Sequence, residues 1–293
     1  MPDSVVEAYD PVTDTWSRRK ADMPTPRAEH GVSVVNGIIY ATGGYTSVQP
    51  YMAENQGCCS VMEAYDPGTN TWSRKANMPV RRRAMRTEAV DGKIYSLGGE
   101  LRIKNDAGAW TRNFYKDVYA YDPGIDTWSR KADMPDTHAW FGSCVLNGEI
   151  YVVSGWWQEN SQTFIDVYNP GSDTWRSLSP LGYHLINSYG GQAAATLDGK
   201  IYIVGGWNTN DGRVHIYDPE SDTLTQGPGV GVPTRYYLAA ITLDEKMYLM
   251  GGGGGIERND VYDPLAAPPV QQIRSVEVKD KLITEWGTLK IAE

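Results

Sequence analysis

Residues 31–44 read GVSVVNGIIYATGG and residues 62–72 read MEAYDPGTNTW. The first stretch is two runs of β-branched and aromatic residues around Asn36-Gly37, the dipeptide of a two-residue hairpin, and it stops at paired glycines. Such glycines permit positive φ and let another backbone come close. The second stretch is a short β-rich run, a Tyr-Asp-Pro turn signal and a tryptophan. Both recur. Hairpins of the same layout stand at 87–99 (TEAVDGKIYSLGG), 142–155 (GSCVLNGEIYVVSG), 194–206 (AATLDGKIYIVGG) and 240–252 (AITLDEKMYLMGG). The tyrosine phrase stands at 6–16, 118–128 and 165–175 and weakens at 214–224 and 259–264. Its tyrosines, Tyr9, Tyr65, Tyr121, Tyr168, Tyr217 and Tyr262, are 56, 56, 47, 49 and 45 residues apart. A regular period of this kind marks a repeat architecture, each repeat being one supersecondary unit.

The di-glycine, the following Tyr-Asp-Pro and the later tryptophan resemble the kelch repeat, over nearly the whole chain. The resemblance implies an all-β fold, a β-propeller of four-stranded antiparallel blades. In that scheme the hairpin supplies inner strands a and b, the tyrosine phrase supplies strand c, and the tryptophan opens outer strand d. Five hairpins face six c strands, so residues 5–19 need a partner or an edge stays open. The expected solution is a six-bladed propeller closed by pairing residues 5–19 with a C-terminal hairpin, SVEVKDKLITEWG at 275–287. The alternative is five blades plus a tail. Residues 1–293 are read as one kelch β-propeller domain. The tail LITEWGTLK (282–290) looks like tails of bacterial kelch-repeat proteins. The repeats are also similar to kelch domains of ubiquitin-ligase adaptors, which read acidic peptide motifs.

The chain of 293 residues carries a net charge of −9, which speaks against nucleic acid as a partner. No apolar run is long enough for a membrane span, and residues 1–20 already hold repeat sequence rather than a signal peptide. The three cysteines, Cys58, Cys59 and Cys144, form no CxxC pair and fit reduced thiols in a cytoplasmic monomer.

Recurrence separates frame from function. Trp16, Trp72, Trp128 and Trp175 hold the repeat position, and Tyr40, Tyr95, Tyr151, Tyr202 and Tyr248 recur in strand b, so both sets are read as packing between blades. The surplus aromatics fall in the long b–c and d–a loops of one face, where function usually resides. Aligning the hairpin turns brings Arg27, Arg82, His138, Tyr189 and Arg235 to one equivalent position, with Arg83, Arg86, Arg102 and Arg112 nearby. Arginine grips carboxylates with a planar fork, and aromatics with arginine are usual interface anchors. The expected ligand-binding set is therefore Arg27, Arg82, Arg86, Arg235, Trp140, Trp156, Trp157, Trp207, Tyr189 and Tyr236. The function expected is a binding or scaffold module for an acidic peptide, a protein, or a small carboxylated or sugar ligand. Two alternatives stand beside it: an isomerase, hydrolase or lyase acting on a small sugar or organic acid at the same mouth, and a purely structural propeller. Catalytic candidates for the enzyme are Glu29, Glu88, His138 and Tyr237, although a carboxylate beside arginine is expected to have a lowered pKa and make a poor general acid. His30, His138 and His184 are the residues a metal would draw on, but their spacing matches no metal motif, and no cofactor is expected.

Overall fold

All five inner hairpins turn on two residues with positive φ, from Asn36 and Gly37 (51° and 75°) to Asp244 and Glu245 (49° and 59°). Two such residues make a type I′ turn, whose twist matches that of the strands it joins. The computed structural model describes residues 3–17, 20–46, 57–104, 108–155, 165–178, 190–207, 213–229, 235–253, 258–262, 274–277 and 289–292. Their regular elements are all strands.

Each hairpin continues into its tyrosine phrase to give a four-stranded antiparallel blade in sequential order. Blade I is Gly31–Val35, Ile38–Thr42, Met62–Asp66 and Thr71–Lys75. Blade II is Arg86–Val90, Lys93–Leu97, Val118–Asp122 and Thr127–Lys131, and blade III is Gly142–Leu146, Glu149–Val153, Ile165–Asn169 and Thr174–Ser177. Blade IV is Gln192–Leu197, Lys200–Gly205, Arg213–Asp218 and Thr223–Gly229, and blade V is Ala239–Leu243, Lys246–Met250, Arg258–Tyr262 and Arg274–Glu277. The c–d turn is closed from within: the Tyr65, Tyr121 and Tyr217 hydroxyls donate to Asn70, Asp126 and Asp222 at 2.8, 2.6 and 2.8 Å.

Among the described residues the four-stranded blades number five, the count of the alternative reading. The chain ends form a separate three-stranded sheet, in which Val6–Asp10 pairs antiparallel with Thr15–Ser17 and parallel with Leu289–Ala292. The proposed closing hairpin at 275–287 is corrected by this pairing. Residues 274–277 run antiparallel to Arg258–Tyr262 and supply the outer strand that blade V lacked on paper. They carry no Tyr-Asp-Pro or tryptophan mark, so the repeat pattern could not assign them. Trp286 lies outside the described residues. Val32 and Val34 in the innermost strand of blade I are 39% and 55% exposed, whereas Thr87 and Ala194, at the position of Val32 in blades II and IV, are buried against a neighbouring innermost strand. The terminal sheet contributes no innermost strand among the described residues.

The chain divides into two compact units. The first, Met1–Ala139 with Thr284–Glu293, holds the terminal sheet and blades I and II; the second, Trp140–Ile283, holds blades III to V. Within each, the repeat aromatics join blades as expected. Tyr40 of blade I meets Tyr121 of blade II, and Tyr202 of blade IV meets Tyr262 of blade V, both at 5.9 Å between ring centroids. A buried aromatic of this size contributes roughly 2–3 kcal/mol. The repeat tryptophans add a polar staple: Trp72 and Trp128 donate their indole N–H to the carbonyls of Ala21 and Ala76 at 2.8 and 2.9 Å. The amides of those alanines return to Asn70 and Asp126. Every c–d turn residue in this staple thus serves its own tyrosine and the preceding repeat at once.

Candidate functional site

The d–a loops reach the site through a backbone frame that repeats from blade to blade. The carbonyls of Arg82, His138 and Arg235 accept the second glycine N–H of the preceding blade, at Gly44, Gly99 and Gly206, over 2.8, 2.8 and 2.7 Å. A side chain on the glycine pair could not be accommodated: a Cβ on Gly205 would lie 2.4 Å from the Arg235 carbonyl oxygen. Two residues further along each loop, the backbone turns into the left-handed region, at Glu29, Ala84, Trp140, Gly191 and Tyr237 (φ 53°, 54°, 53°, 81° and 67°). Successive members hydrogen-bond: Ala84 N–H to Glu29 O in the first unit, and in the second Gly191 N–H to Trp140 O and Tyr237 N–H to Gly191 O. Holding non-glycine residues there stores strain of order 1–2 kcal/mol each, which these bonds offset.

The equivalence drawn for Arg27, Arg82, His138 and Arg235 is visible in this frame, and the side chains at that position point into the protein. Arg27 is 0% exposed. Its Nε donates to Thr25 O at 3.2 Å, Nη1 to Gly43 O and Val61 O at 3.2 and 2.7 Å, and Nη2 to Glu63 at 2.5 Å. Arg82 is buried, donates from Nη2 to both Asp117 carboxylate oxygens at 3.0 and 3.1 Å, and lies 3.4 Å over the Tyr115 ring. Arg235 and His138 are buried too. Burial holds the His138 pKa down at about 4 against the pull of Asp136. The position is a strut between loop and blade, and Tyr189, its fifth member, lies outside the described residues.

In the first unit the lip is charged. Blade II carries an extra hairpin in its b–c connection, Glu100–Lys104 against Trp110–Phe114, where the sequence suggested a loop. Arg102 and Arg112 stand directly opposite each other on it, a pairing that is repulsive by itself. Glu100, at its base, is 0% exposed and answers them. Its Oε1 accepts from Arg83 Nε at 2.7 Å, from Arg83 Nη2, and from Arg102 Nε at 3.2 Å. Its Oε2 has no hydrogen bond, and Arg112 Nε stands 3.9 Å away. Glu29 approaches Arg83 at 3.5 Å, and the Arg83 guanidinium faces the Tyr45 ring at 5.4 Å. Of the three guanidiniums Arg112, 37% exposed, reaches furthest toward solvent. The lowered pKa expected for Glu29 does not result: burial raises it and outweighs Arg83, Arg102 and Arg112, with Glu100 adding to the rise.

In the second unit the same frame carries rings. Trp207 stacks on Tyr236 at 4.7 Å, Tyr236 meets Tyr237 edge-on at 5.1 Å, and Tyr237 reaches Trp140 at 6.4 Å. Glycine makes this possible: a Cβ on Gly191 would strike the Tyr237 ring and one on Gly253 the Tyr236 ring. Trp140 is buried, whereas Trp207 is 46% exposed and offers an apolar plate.

The other candidates are dispersed. Arg86 and Glu88 sit in the innermost strand of blade II, where burial lowers the Arg86 pKa against the effect of Glu88. His30 follows Glu29, and burial with the nearby Arg27 charge holds its pKa at about 3. Trp156, Trp157 and His184 lie outside the described residues. Among the described residues no three or more His, Cys, Asp or Glu side chains gather as a metal would require, and no helix is long and apolar enough to cross a membrane. Cys58, Cys59 and Cys144 form no disulfide. Arg83, Arg102 and Arg112, noted in the sequence only as neighbours, are the ones the structure brings together.

A family model described as KLHDC2/KLHL20/DRC7 Kelch-repeats domain matches residues 3–206, and a Kelch motif model matches residues 189–229. Kelch-like protein 25 of Xenopus tropicalis is 26% identical over 239 residues, 79% of this chain and 38% of that protein. Alpha-scruin of Limulus polyphemus is 26% identical over 259 residues, 87% of this chain and 22% of that protein. The chain thus spans well under half the length of these curated relatives. A solved structure of YjhT matches with a TM-score of 0.68 at 14% identity, covering 90% of this chain and 95% of that one. That likeness speaks to fold alone, and the fold is a propeller of four-stranded antiparallel blades. The bacterial likeness of the tail gains nothing from these matches.

Proposed function

The chain belongs to the KLHDC2/KLHL20/DRC7 Kelch-repeats domain family, and from that premise we propose that it is a protein-binding module whose charged lip takes an acidic segment of a partner protein. The observation that carries this reading is the gathering of Arg83, Arg102 and Arg112 around the single buried carboxylate of Glu100. Two of those guanidiniums stand opposite each other on a projecting hairpin at a cost in repulsion. A partner carboxylate beside Arg102 and Arg112 would relieve that repulsion, and a guanidinium fork is suited to it. The cationic role expected of Arg27, Arg82 and Arg235 passes to these three, because the former are engaged in or buried against the frame. Trp207, with Tyr236 and Tyr237 behind it, serves as an apolar anchor for a sugar face or an aliphatic side chain. In this reading residues 1–293 act as one propeller domain.

A direct test is fluorescence anisotropy with labelled hexaglutamate and hexaglutamine across a salt series. Hexaglutamate should bind, with affinity falling as salt rises, and hexaglutamine should not. Equal binding of the two, or none, would sink the proposal.

A further inference from the structure

Blade II has a second concave surface that uses none of the three lip arginines. It is an open groove of about 350 Å³ between the loop before the blade, the b–c connection and the outer strand, floored by Phe114, Tyr115 and Tyr119. Two cations on its wall are already engaged. Arg82 Nη2 donates to both Asp117 carboxylate oxygens, and Arg130 Nη2 to both Asp133 oxygens at 2.8 and 3.1 Å. The third cation, Lys116, is exposed and makes no ion pair or side-chain hydrogen bond among the described residues. Its backbone is nonetheless fixed, because its carbonyl accepts the Met134 N–H at 2.8 Å. The groove therefore combines an aromatic lining with one exposed ammonium on a side chain whose backbone is anchored.

We propose that this groove is a second docking site, which takes an apolar side chain followed closely by a carboxylate on an acidic, hydrophobic segment of a partner protein. The volume lies at the low end of ligand pockets and suits one or two side chains rather than a large ligand. The aromatic floor supplies the apolar contact. The choice of a single carboxylate follows from what is left to pair. Asp117 and Asp133 already answer the Arg82 and Arg130 guanidiniums, so the lining keeps the one further positive charge of Lys116, a compact point charge that matches a single carboxylate rather than a doubly charged phosphate. The two paired arginines fix the walls, and Lys116 selects the charge of what enters.

The test is a titration of the full chain, followed by amide ¹H–¹⁵N correlation spectra, with N-acetyl-Leu-Glu-amide and its N-acetyl-Leu-Gln-amide counterpart. Fragments of this size bind in the millimolar range, so concentrations up to about 10 mM are needed. The Glu peptide should give saturable shifts centred on the amides of Tyr115 to Tyr119 and of Asp133, Met134, Asp136 and Thr137, and should bind about two- to fivefold more tightly than the Gln peptide, as expected for one exposed charge pair. Lys116→Gln, an exposed substitution that leaves the fold intact, should erase that difference. Arg112→Ala should leave it unchanged, which separates this site from the lip. Equal affinity for the two peptides, or no saturable shift at those amides, would overturn the proposal whatever hexaglutamate does at the lip.

Discussion

The charged lip of the first unit and the aromatic lip of the second are built on one backbone design. In both, a loop carbonyl caps the second glycine of the preceding blade, and two residues later the chain passes through a left-handed residue bonded to its counterpart in the next or preceding repeat. At that residue one unit places Glu29 and the other Trp140 and Tyr237; after the glycine pair, one places Tyr45 and Glu100 and the other Trp207. The repeat thus fixes where side chains emerge, and only their identity differs. The charged lip needs a buried counter-ion and a supporting hairpin. The aromatic lip needs glycine where a side chain would obstruct a ring.

Breaking the shared frame should have the largest effects. Glu63→Ala leaves the Arg27 guanidinium, 0% exposed, without its carboxylate. A stranded buried charge costs about 3–5 kcal/mol, read as a loss of urea stability. In the other unit, Gly205→Ala forces a Cβ to within 2.4 Å of the Arg235 carbonyl at a φ of 72°. It should cost about 2–3 kcal/mol and disturb the aromatic lip, seen as a change in near-ultraviolet circular dichroism.

Acid sharpens the contrast, because His30 and His138 both belong to the first unit. Burial holds their folded pKa values at about 3 and about 4, below the ordinary 6.5, so the unfolded chain binds their protons first. Stability is therefore whole above pH 6.5 and falls as pH drops toward 4, by up to roughly 1.4 kcal/mol per unit for each histidine. Thermal melts from pH 7 to 5 check this, and His138→Gln should flatten the profile in part. Glu29 works in the opposite sense. Its pKa is raised above 4.5, so its stabilisation is present below that pH and lost as pH rises. Glu29→Gln should raise the melting temperature at pH 7, with the gain closing as pH falls through 4.5.

The strands were legible because strand signals are local. Each hairpin carries its own turn dipeptide, and each c strand its own Tyr-Asp-Pro, so blades I to V could be placed from the repeat alone. Three elements escaped. The outer strand of blade V, 274–277, is recognised only by its partner at 258–262, the terminal strand 289–292 only by its parallel partner at 6–9, and residues 100–114 looked like a loop because their hairpin lies outside the period. At the site, alignment placed Arg27, Arg82, His138 and Arg235 correctly in register but could not show which way they point. What turns Arg27 and Arg82 inward are Glu63 and Asp117, 36 and 35 residues further along the chain. The cooperating arginines are two neighbours in space, Arg102 and Arg112, joined only through the register of that unforeseen hairpin.

The most direct test of the charged lip is the affinity of hexaglutamate for the double variant Arg102→Ala/Arg112→Ala against the unaltered chain, with melting temperatures measured on both. The account predicts a loss of binding of about tenfold or more, since hydrogen bonds to charged groups are worth about 1.5–3 kcal/mol, while the fold stays intact. Unchanged affinity in a folded variant would contradict it and return the acidic ligand to some other part of the molecule.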